Sequence, residues 1–385
     1  MAMAMAMAGD AVPEQEEEGM IYFRVENTKF QSPGKEGVYD WYAVYDDDEL
    51  SRKDKEGFLE PVFGRLPKRQ YMSACVGLGS YIYVIGGLEV ETLYSPSGRN
   101  IYSDVYRIDT RCPLEGWKQA PSLIKPRAHP HAFVVDGKIY VLAAMWNSND
   151  PWAEVFDPCQ GKWSPLPMDF SSFPLPHAIC GHAVRYDSNG NLQQLMAVGD
   201  ISQALYSYDF GTQKWTEADK EFGYRRGVSA FVDNIMYCFH DGEVHAYDLT
   251  KLKWFPKPVS GFEGQNVLPS KGEDFSWTPD SDLVHVGNGV LCLLWSFQPQ
   301  YENITLEIYC TKFSVSMEPG DSPGECIPVA SIKSFKYYKV KGLTLENCVV
   351  TSLPAKNQRF GKQNRKRTKS VQELEEKEKE HGQEL

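Results

Sequence analysis

Apolar and polar positions follow a plan that recurs along the chain. A β-rich apolar run ends in a small or irregular pair. After a gap, a second run carries an aromatic residue and usually Asp, and an aromatic, usually Trp, follows at a set distance. The first copy is Tyr81–Gly87, Val105–Asp109 and Trp117; the second is Lys138–Ala144, Glu154–Asp157 and Trp163. The third is Leu195–Asp200, Tyr206–Asp209 and Trp215, and the fourth is Ile235–His240, Val244–Asp248 and Trp254. A degenerate fifth copy reads Val290–Trp295, Leu306–Tyr309 and Phe313. From Asp to Trp the step is six residues in copies two to four and eight in the first. That step describes a strand, a polar turn such as Asp209-Phe210-Gly211-Thr212-Gln213-Lys214, and a return strand carrying the Trp. Short strands with turn punctuation at a period of about 50 residues predict a propeller.

The physics of such a repeat leads to a ring. A four-stranded sheet with two apolar faces cannot bury both alone, whereas ring packing buries them against neighbours and leaves short, protected edges. Aromatic residues fill the wider space between blades away from the axis. Chain remains at both ends of the five copies. Asp40–Asp46 reads as the aromatic–Asp strand of a further repeat, and Phe58–Val62 as its last strand. Cys326–Ala330 and Leu343–Thr351 read as two inner strands. One blade shared between the ends makes six, at about 56 residues each over residues 21–355.

The Gly86-Gly87 pair, the aromatic–Asp step and the following Trp resemble kelch repeats, as does Asp136-Gly137-Lys138-Ile139-Tyr140-Val141 in copy two. The resemblance covers roughly residues 65–315. Later copies depart from the double glycine, with Ala143-Ala144, Gly199-Asp200, His240-Asp241 and Trp295-Ser296 in its place. The chain is similar to plant kelch proteins, including those that carry an F-box, although no leucine-rich helical segment of the F-box kind is visible near the N-terminus. The resemblance implies an all-β, six-bladed kelch-type propeller that recognises a protein, in a regulatory or ubiquitin-ligase-like assembly. Kelch relatives also include metal-dependent enzymes and specifier proteins, so a metal-dependent small-molecule enzyme is the alternative. Metal analysis of the purified protein discriminates the two.

Composition bears on the remaining classes. Hydrophobic residues make up 42% and aromatics 13% of the 385 residues, enough for a sizeable core. No apolar run approaches the length of a spanning helix, so no membrane association is expected. The net charge is −12; an acidic N-terminal segment (1–20) contributes −5 and a C-terminal segment (356–385) +3, leaving −10 on the body 21–355. An acidic body argues against nucleic acid as the partner. The two end segments lack periodicity and are expected to be disordered. Nine scattered cysteines include no CxxC pair, which gives no support to a structural zinc site. With no recognisable signal peptide, a cytoplasmic or nuclear location is expected. The basic run Lys362–Lys369 has the composition of a nuclear import signal.

No HExxH, P-loop or GxSxG is present, so neither catalysis nor a cofactor is expected. His129 and His131 are two apart, as on one side of a strand. They and the isolated His177, His182, His240, His245 and His285 read as packing or rim residues. Asp109, Asp157, Asp209 and Asp248 sit where a strand meets its turn, and are expected to accept hydrogen bonds from the turn's own N–H groups. The candidate partner-binding residues are Arg69, Arg127, Arg225 and Arg226, which precede first strands of repeats. Tyr94, Arg99 and Tyr102, in the long insertion Leu88–Ser103, form a rim beside them. Arginines gathered on one face of an acidic body suit an acidic or phosphorylated peptide, because the guanidinium binds carboxylate and phosphate bidentately. The alternative for these arginines is pairing with carbonyls or acids of the blades themselves.

Overall fold

The computed structural model describes residues 18–26, 39–45, 51–68, 70–89, 100–142, 151–167, 179–186, 192–199, 202–223, 228–263, 267–269, 280–296, 305–320 and 326–352. Its strands form six sheets, five of four strands and one of three. The chain starts with β1 (Met20–Glu26) and β2 (Tyr39–Val44). The first blade then comprises β3 (Ala74–Leu78), β4 (Tyr81–Ile85), β5 (Val105–Asp109) and β6 (Lys118–Ala120). The second comprises β7 (His131–Val135), β8 (Lys138–Leu142), β9 (Ala153–Asp157) and β10 (Lys162–Pro165). The third comprises β11 (Ile179–Tyr186), β12 (Leu192–Gly199), β13 (Leu205–Asp209) and β14 (Lys214–Asp219). The fourth comprises β15 (Val228–Val232), β16 (Ile235–His240), β17 (Glu243–Asp248) and β18 (Lys253–Trp254). The fifth comprises β19 (Asp280–Gly287), β20 (Val290–Ser296), β21 (Thr305–Pro319) and β22 (Cys326–Lys341). Last comes β23 (Thr344–Thr351).

Within the six sheets neighbouring strands pair antiparallel, and each four-stranded blade is a meander in sequence order. The first strands β3, β7, β11, β15 and β19 contact one another in succession; β19 contacts β23, and β23 returns to β3. This inner circle makes the six sheets a closed β-propeller. Each interface between neighbouring blades carries its own apolar cluster. Tyr83 and Ile85 meet Ile139, Val141 and Trp163 between blades one and two, and Met196 and Val198 meet Met236, Cys238 and Tyr247 between three and four.

The ring closes through a blade shared between the two ends, as the sequence predicts, but with different strands from those expected. The shared sixth sheet has the order β2-β1-β23, so two of its strands come from the N-terminal segment and one from the C-terminal segment. Residues 326–330, expected in this blade, instead begin β22, the outermost strand of blade five. Phe58–Val62 does not form a fourth strand: Leu59 N–H bonds Lys339 O at 2.8 Å, and Val62 N–H bonds Trp41 O at 2.7 Å. Phe313, expected on a return strand, lies within β21 opposite Leu291.

The turn aspartates take the predicted role. Asp109 accepts from Arg111 N–H at 3.0 Å, Asp157 from Cys159 at 2.9 Å, Asp209 from Thr212 at 2.7 Å and Asp248 from Thr250 at 2.9 Å. The Thr212 N–H and hydroxyl hold the Asp209 carboxyl below its ordinary pKa. The tryptophans after these turns reach the outer rim of the preceding blade. Trp117, Trp163 and Trp254 donate their indole N–H to Gly64 O, Pro121 O and Phe222 O at 2.8, 2.8 and 2.6 Å. Trp163 and Trp215 are buried, whereas Trp254, on the two-residue β18, is half-buried.

Candidate protein-recognition face

All inner strands run the same way, so their beginnings share one face of the ring with the connections between second and third strands. In blade one this leading face carries the described residues 86–89 and 100–104 of the connection between β4 and β5. The chain leading into an inner strand needs a sharp turn, which Met72 and His129 make with φ of 51° and 54°, each two residues ahead of its strand. The backbones then lace together. Tyr71 and Leu88 exchange N–H···O bonds at 3.0 and 2.8 Å, Gly87 N–H bonds Arg127 O at 2.7 Å, and His129 N–H bonds Met72 O at 2.8 Å. The framework of blade one is thereby tied to that of blade two.

Arg127 sits inside this framework, not on its surface. Its side chain and that of Glu154 are both 0% exposed. Nε and Nη2 donate to one Glu154 oxygen at 2.9 and 2.8 Å, and Nη1 and Nη2 donate to the Trp152 and Pro151 carbonyls at 3.1 and 2.5 Å. The other Glu154 oxygen accepts from Ile124 N–H at 2.6 Å. The assignment of Arg127 to partner binding is therefore corrected in favour of the alternative, pairing with carbonyls and an acid of the blade: burial forces the guanidinium to use its donors internally.

The structural counterpart of Arg127 in blade one is Gln70, one residue beyond Arg69. Each lies four residues ahead of its inner strand, and each bonds the carbonyl just before the third strand of its blade. Gln70 Nε2 donates to Asp104 O at 2.9 Å and to Gly86 O at 2.8 Å. Arg69 thus falls one position out of the expected register. Arg69, Tyr94, Arg99, Arg225 and Arg226 lie outside the described residues. Tyr102 is half-buried, and Lys68 Nζ stands 5.2 Å from its ring centroid while donating to Asp104 at 2.9 Å. Gln70, Glu154 and Lys68 were missed in the sequence; the signal for Gln70 is its spacing to Ala74, which matches that of Arg127 to His131.

Two further polar groups lie on the inner circle. His131 Nε2 is 3.0 Å from His182 Nδ1, joining β7 to β11, and His182 stacks on Phe133 at 4.2 Å. Burial lowers the His131 pKa to about 4 and that of His182 well below its ordinary value. Asp282 on β19 accepts from Cys348 N–H at 2.7 Å, and burial raises its pKa to about 7. Among the described residues, no group of three or more His, Cys, Asp or Glu is placed to hold a metal ion.

The profile of the FKB95 kelch-repeats domain matches residues 41–322. The chain belongs to this kelch-repeat family. The FKB95 kelch chain is 31% identical over 292 residues to the F-box/kelch-repeat protein At4g39590 of Arabidopsis thaliana, covering 73% of this chain and 66% of that protein. It is 24% identical over 322 residues to the F-box/kelch-repeat protein At5g39560 of the same plant, covering 79% and 73%. With the putative F-box/kelch-repeat protein At4g39756, also of Arabidopsis thaliana, it shares 31% identity over 163 residues, covering 42% of this chain and 41% of that protein. Against these relatives, then, the FKB95 kelch chain spans from about two fifths to about three quarters of their length. Among solved structures, that of YjhT is similar at 13% identity with a TM-score of 0.45, covering 78% of this chain and 97% of that chain.

Proposed function

We propose that this kelch propeller is a non-catalytic recognition module that binds an acidic or phosphorylated segment of a partner protein on its leading face. The observation that carries the reading is the lacing of that face through Gly87, Arg127, Tyr71 and Met72, which gives the connections rising from it a rigid base. Binding residues placed on loops above a fixed scaffold are the common arrangement for recognition. Arg69, Arg99, Arg225 and Arg226, with Tyr94 and Tyr102, are the side chains assigned to the contact. Arg127 is reassigned to support. The F-box/kelch-repeat names of the relatives favour a partner destined for a ubiquitin-ligase-like or regulatory assembly. In this reading the basic run 362–369 directs nuclear import, which fusion of residues 356–385 to a cytosolic reporter tests; a reporter that stays cytosolic removes it.

The test of the main reading is an array of acidic and phosphorylated peptides probed with the full chain. The peptides retained are then titrated against the Arg69→Ala/Arg225→Ala/Arg226→Ala variant. Loss of binding with an unchanged melting temperature is expected. Equal binding by the variant places recognition elsewhere.

A further inference from the structure

Strand β22 is out of scale with its counterparts. The fourth strands of blades one to four contain three, four, six and two residues; β22 contains sixteen. It is the outermost strand of its blade, so one side of its backbone faces away from the sheet.

Two segments of the chain already use that side. Near its start, Ser260 N–H bonds Pro328 O at 3.2 Å, and Ala330 N–H bonds Ser260 O at 2.8 Å. Near its end, Leu59 N–H bonds Lys339 O at 2.8 Å, and Lys341 Nζ lies 3.4 Å from Asp54 and 3.7 Å from Glu56 of the same turn. A turn of mixed charge thus docks on this edge by a backbone bond and by pairing its two carboxylates, Asp54 and Glu56, with a lysine of β22. Between these points, among the described residues, the outward N–H groups of Phe335 and Tyr337, which share the parity of Lys339, donate no hydrogen bond outside the sheet and their C=O groups accept none. Their side chains are 41% and 39% exposed, flanked by exposed Lys333 and Lys339.

The surface behind these aromatics is ordered. Trp295 stacks on Tyr309 at 4.1 Å, and Tyr309 lies 5.3 Å from Tyr337. Glu307, opposite Lys339, accepts from both tyrosine hydroxyls, at 2.9 and 2.7 Å. That carboxylate is engaged, while Lys333 and Lys339 bracket the aromatic pair. An edge strand with free backbone groups is a template for another strand, which lysines protect against a like edge. The same lysines attract an acidic one.

We propose that the β22 edge between Ser331 and Tyr338 docks an extended acidic segment of a partner protein, which adds to blade five as a fifth strand. Main-chain bonds to Phe335 and Tyr337 supply the pairing; the side chains of that pair select apolar residues opposite them, with acids at the two ends of the segment in reach of Lys339 and of Lys333, the extra residue of the β-bulge in β22. A second copy of this chain does not fit, since pairing two such edges sets lysine against lysine. This surface lies on the rim of blade five and is independent of the leading-face reading.

The probe is the capped peptide Glu-Thr-Val-Thr-Val-Thr-Glu, with Lys-Thr-Val-Thr-Val-Thr-Lys as its control, each titrated by fluorescence polarisation into the full chain. The acidic peptide is expected to bind about tenfold or more tightly than the basic one at low salt. It is also expected to slow hydrogen exchange at the Phe335 and Tyr337 amides. Lys333→Glu/Lys339→Glu is expected to reverse the preference, an outcome that misfolding cannot produce. Phe335→Pro, which deletes an outward N–H and no bond of the sheet, is expected to abolish binding of both. Equal binding of the two peptides, amides at 335 and 337 already protected in the free chain, or dimers formed through this edge would each overturn the proposal.

Discussion

Arg127 and Glu154 form an ion pair sealed from solvent, with two guanidinium nitrogens on one carboxylate oxygen at 2.9 and 2.8 Å. The pair joins the lead-in to β7 with the third strand of the same blade. Removing one partner strands the other as a buried charge, so Arg127→Ala or Glu154→Ala is expected to cost about 3–5 kcal/mol. Arg127→Met/Glu154→Leu, which removes both charges, is expected to recover much of that loss. Urea unfolding measures both. Two single variants as stable as wild type would show that the pair is not a strut.

The close approach of Gly86 to the Arg127 carbonyl and of Gly87 to the Tyr71 carbonyl explains the double glycine of blade one. Gly86 and Gly87 have φ of 63° and 99°, and a Cβ on either would fall 2.6 Å from Arg127 O or 2.7 Å from Tyr71 O. Gly86→Ala and Gly87→Ala are each expected to destabilise by more than the ~1 kcal/mol that left-handed backbone strain alone exacts. Their denaturation midpoints, compared with that of Gly57→Ala, separate contact from strain: Gly57 has φ of 85° and nothing within 4 Å of its Cβ position. Equal losses at all three sites would mean that the approach contributes nothing.

The tryptophans are expected to differ in weight. Trp163→Ala and Trp215→Ala empty buried sites and are expected to cost about 3–5 kcal/mol. Trp254→Ala is expected to cost less, because the short β18 leaves that ring half-buried. Equilibrium unfolding of the three variants gives the order, and a largest loss at Trp254 would contradict it.

Two inner-circle groups shift stability with pH in opposite directions. The folded His131 pKa of about 4 lies below the ordinary 6.5. The unfolded chain therefore gains the proton first, and this stability is full above about pH 6.5 and falls away toward pH 4. Asp282 has a folded pKa of about 7, raised by burial from 3.8. Here the folded state gains the proton first, so its contribution grows as pH falls from about 7 toward 4. Asp282→Asn is expected to lose stability more steeply than wild type on acidification through that window. His131→Gln is expected to lose it less steeply. Urea midpoints across the window measure both slopes, and parallel profiles for all three proteins would contradict the assignment.

Much of the ring is legible in the sequence because the signals are local. The step from Asp209 to Trp215 encodes strand, turn and strand without reference to the rest of the chain, and blades two to four appear as read. The signals that failed are non-local. Met20–Glu26 alternates weakly because Arg24 and Glu26 are buried at the blade interface, so β1 does not read as a strand. Cys326–Ala330 is apolar enough for an inner strand, but its partner is the overlong β21, a pairing no local pattern displays. At the candidate face, Arg69 and Arg127 look alike as arginines before strands. Only the hydrogen bonds of Gln70 show that the support register is one residue further on.

Ring closure rests on β1 pairing with β23 from Met20↔Thr351 to Glu26↔Thr344. The most direct test is the thermal melt of a chain ending at Gly342, alone and with a synthetic peptide spanning residues 343–352. The expected result is a broad, low-temperature transition for the truncated chain, restored to a single cooperative melt by the peptide, whose strand refills the inner circle beside β3 and β19. A truncated chain that melts as wild type does and ignores the peptide would contradict the shared-blade closure.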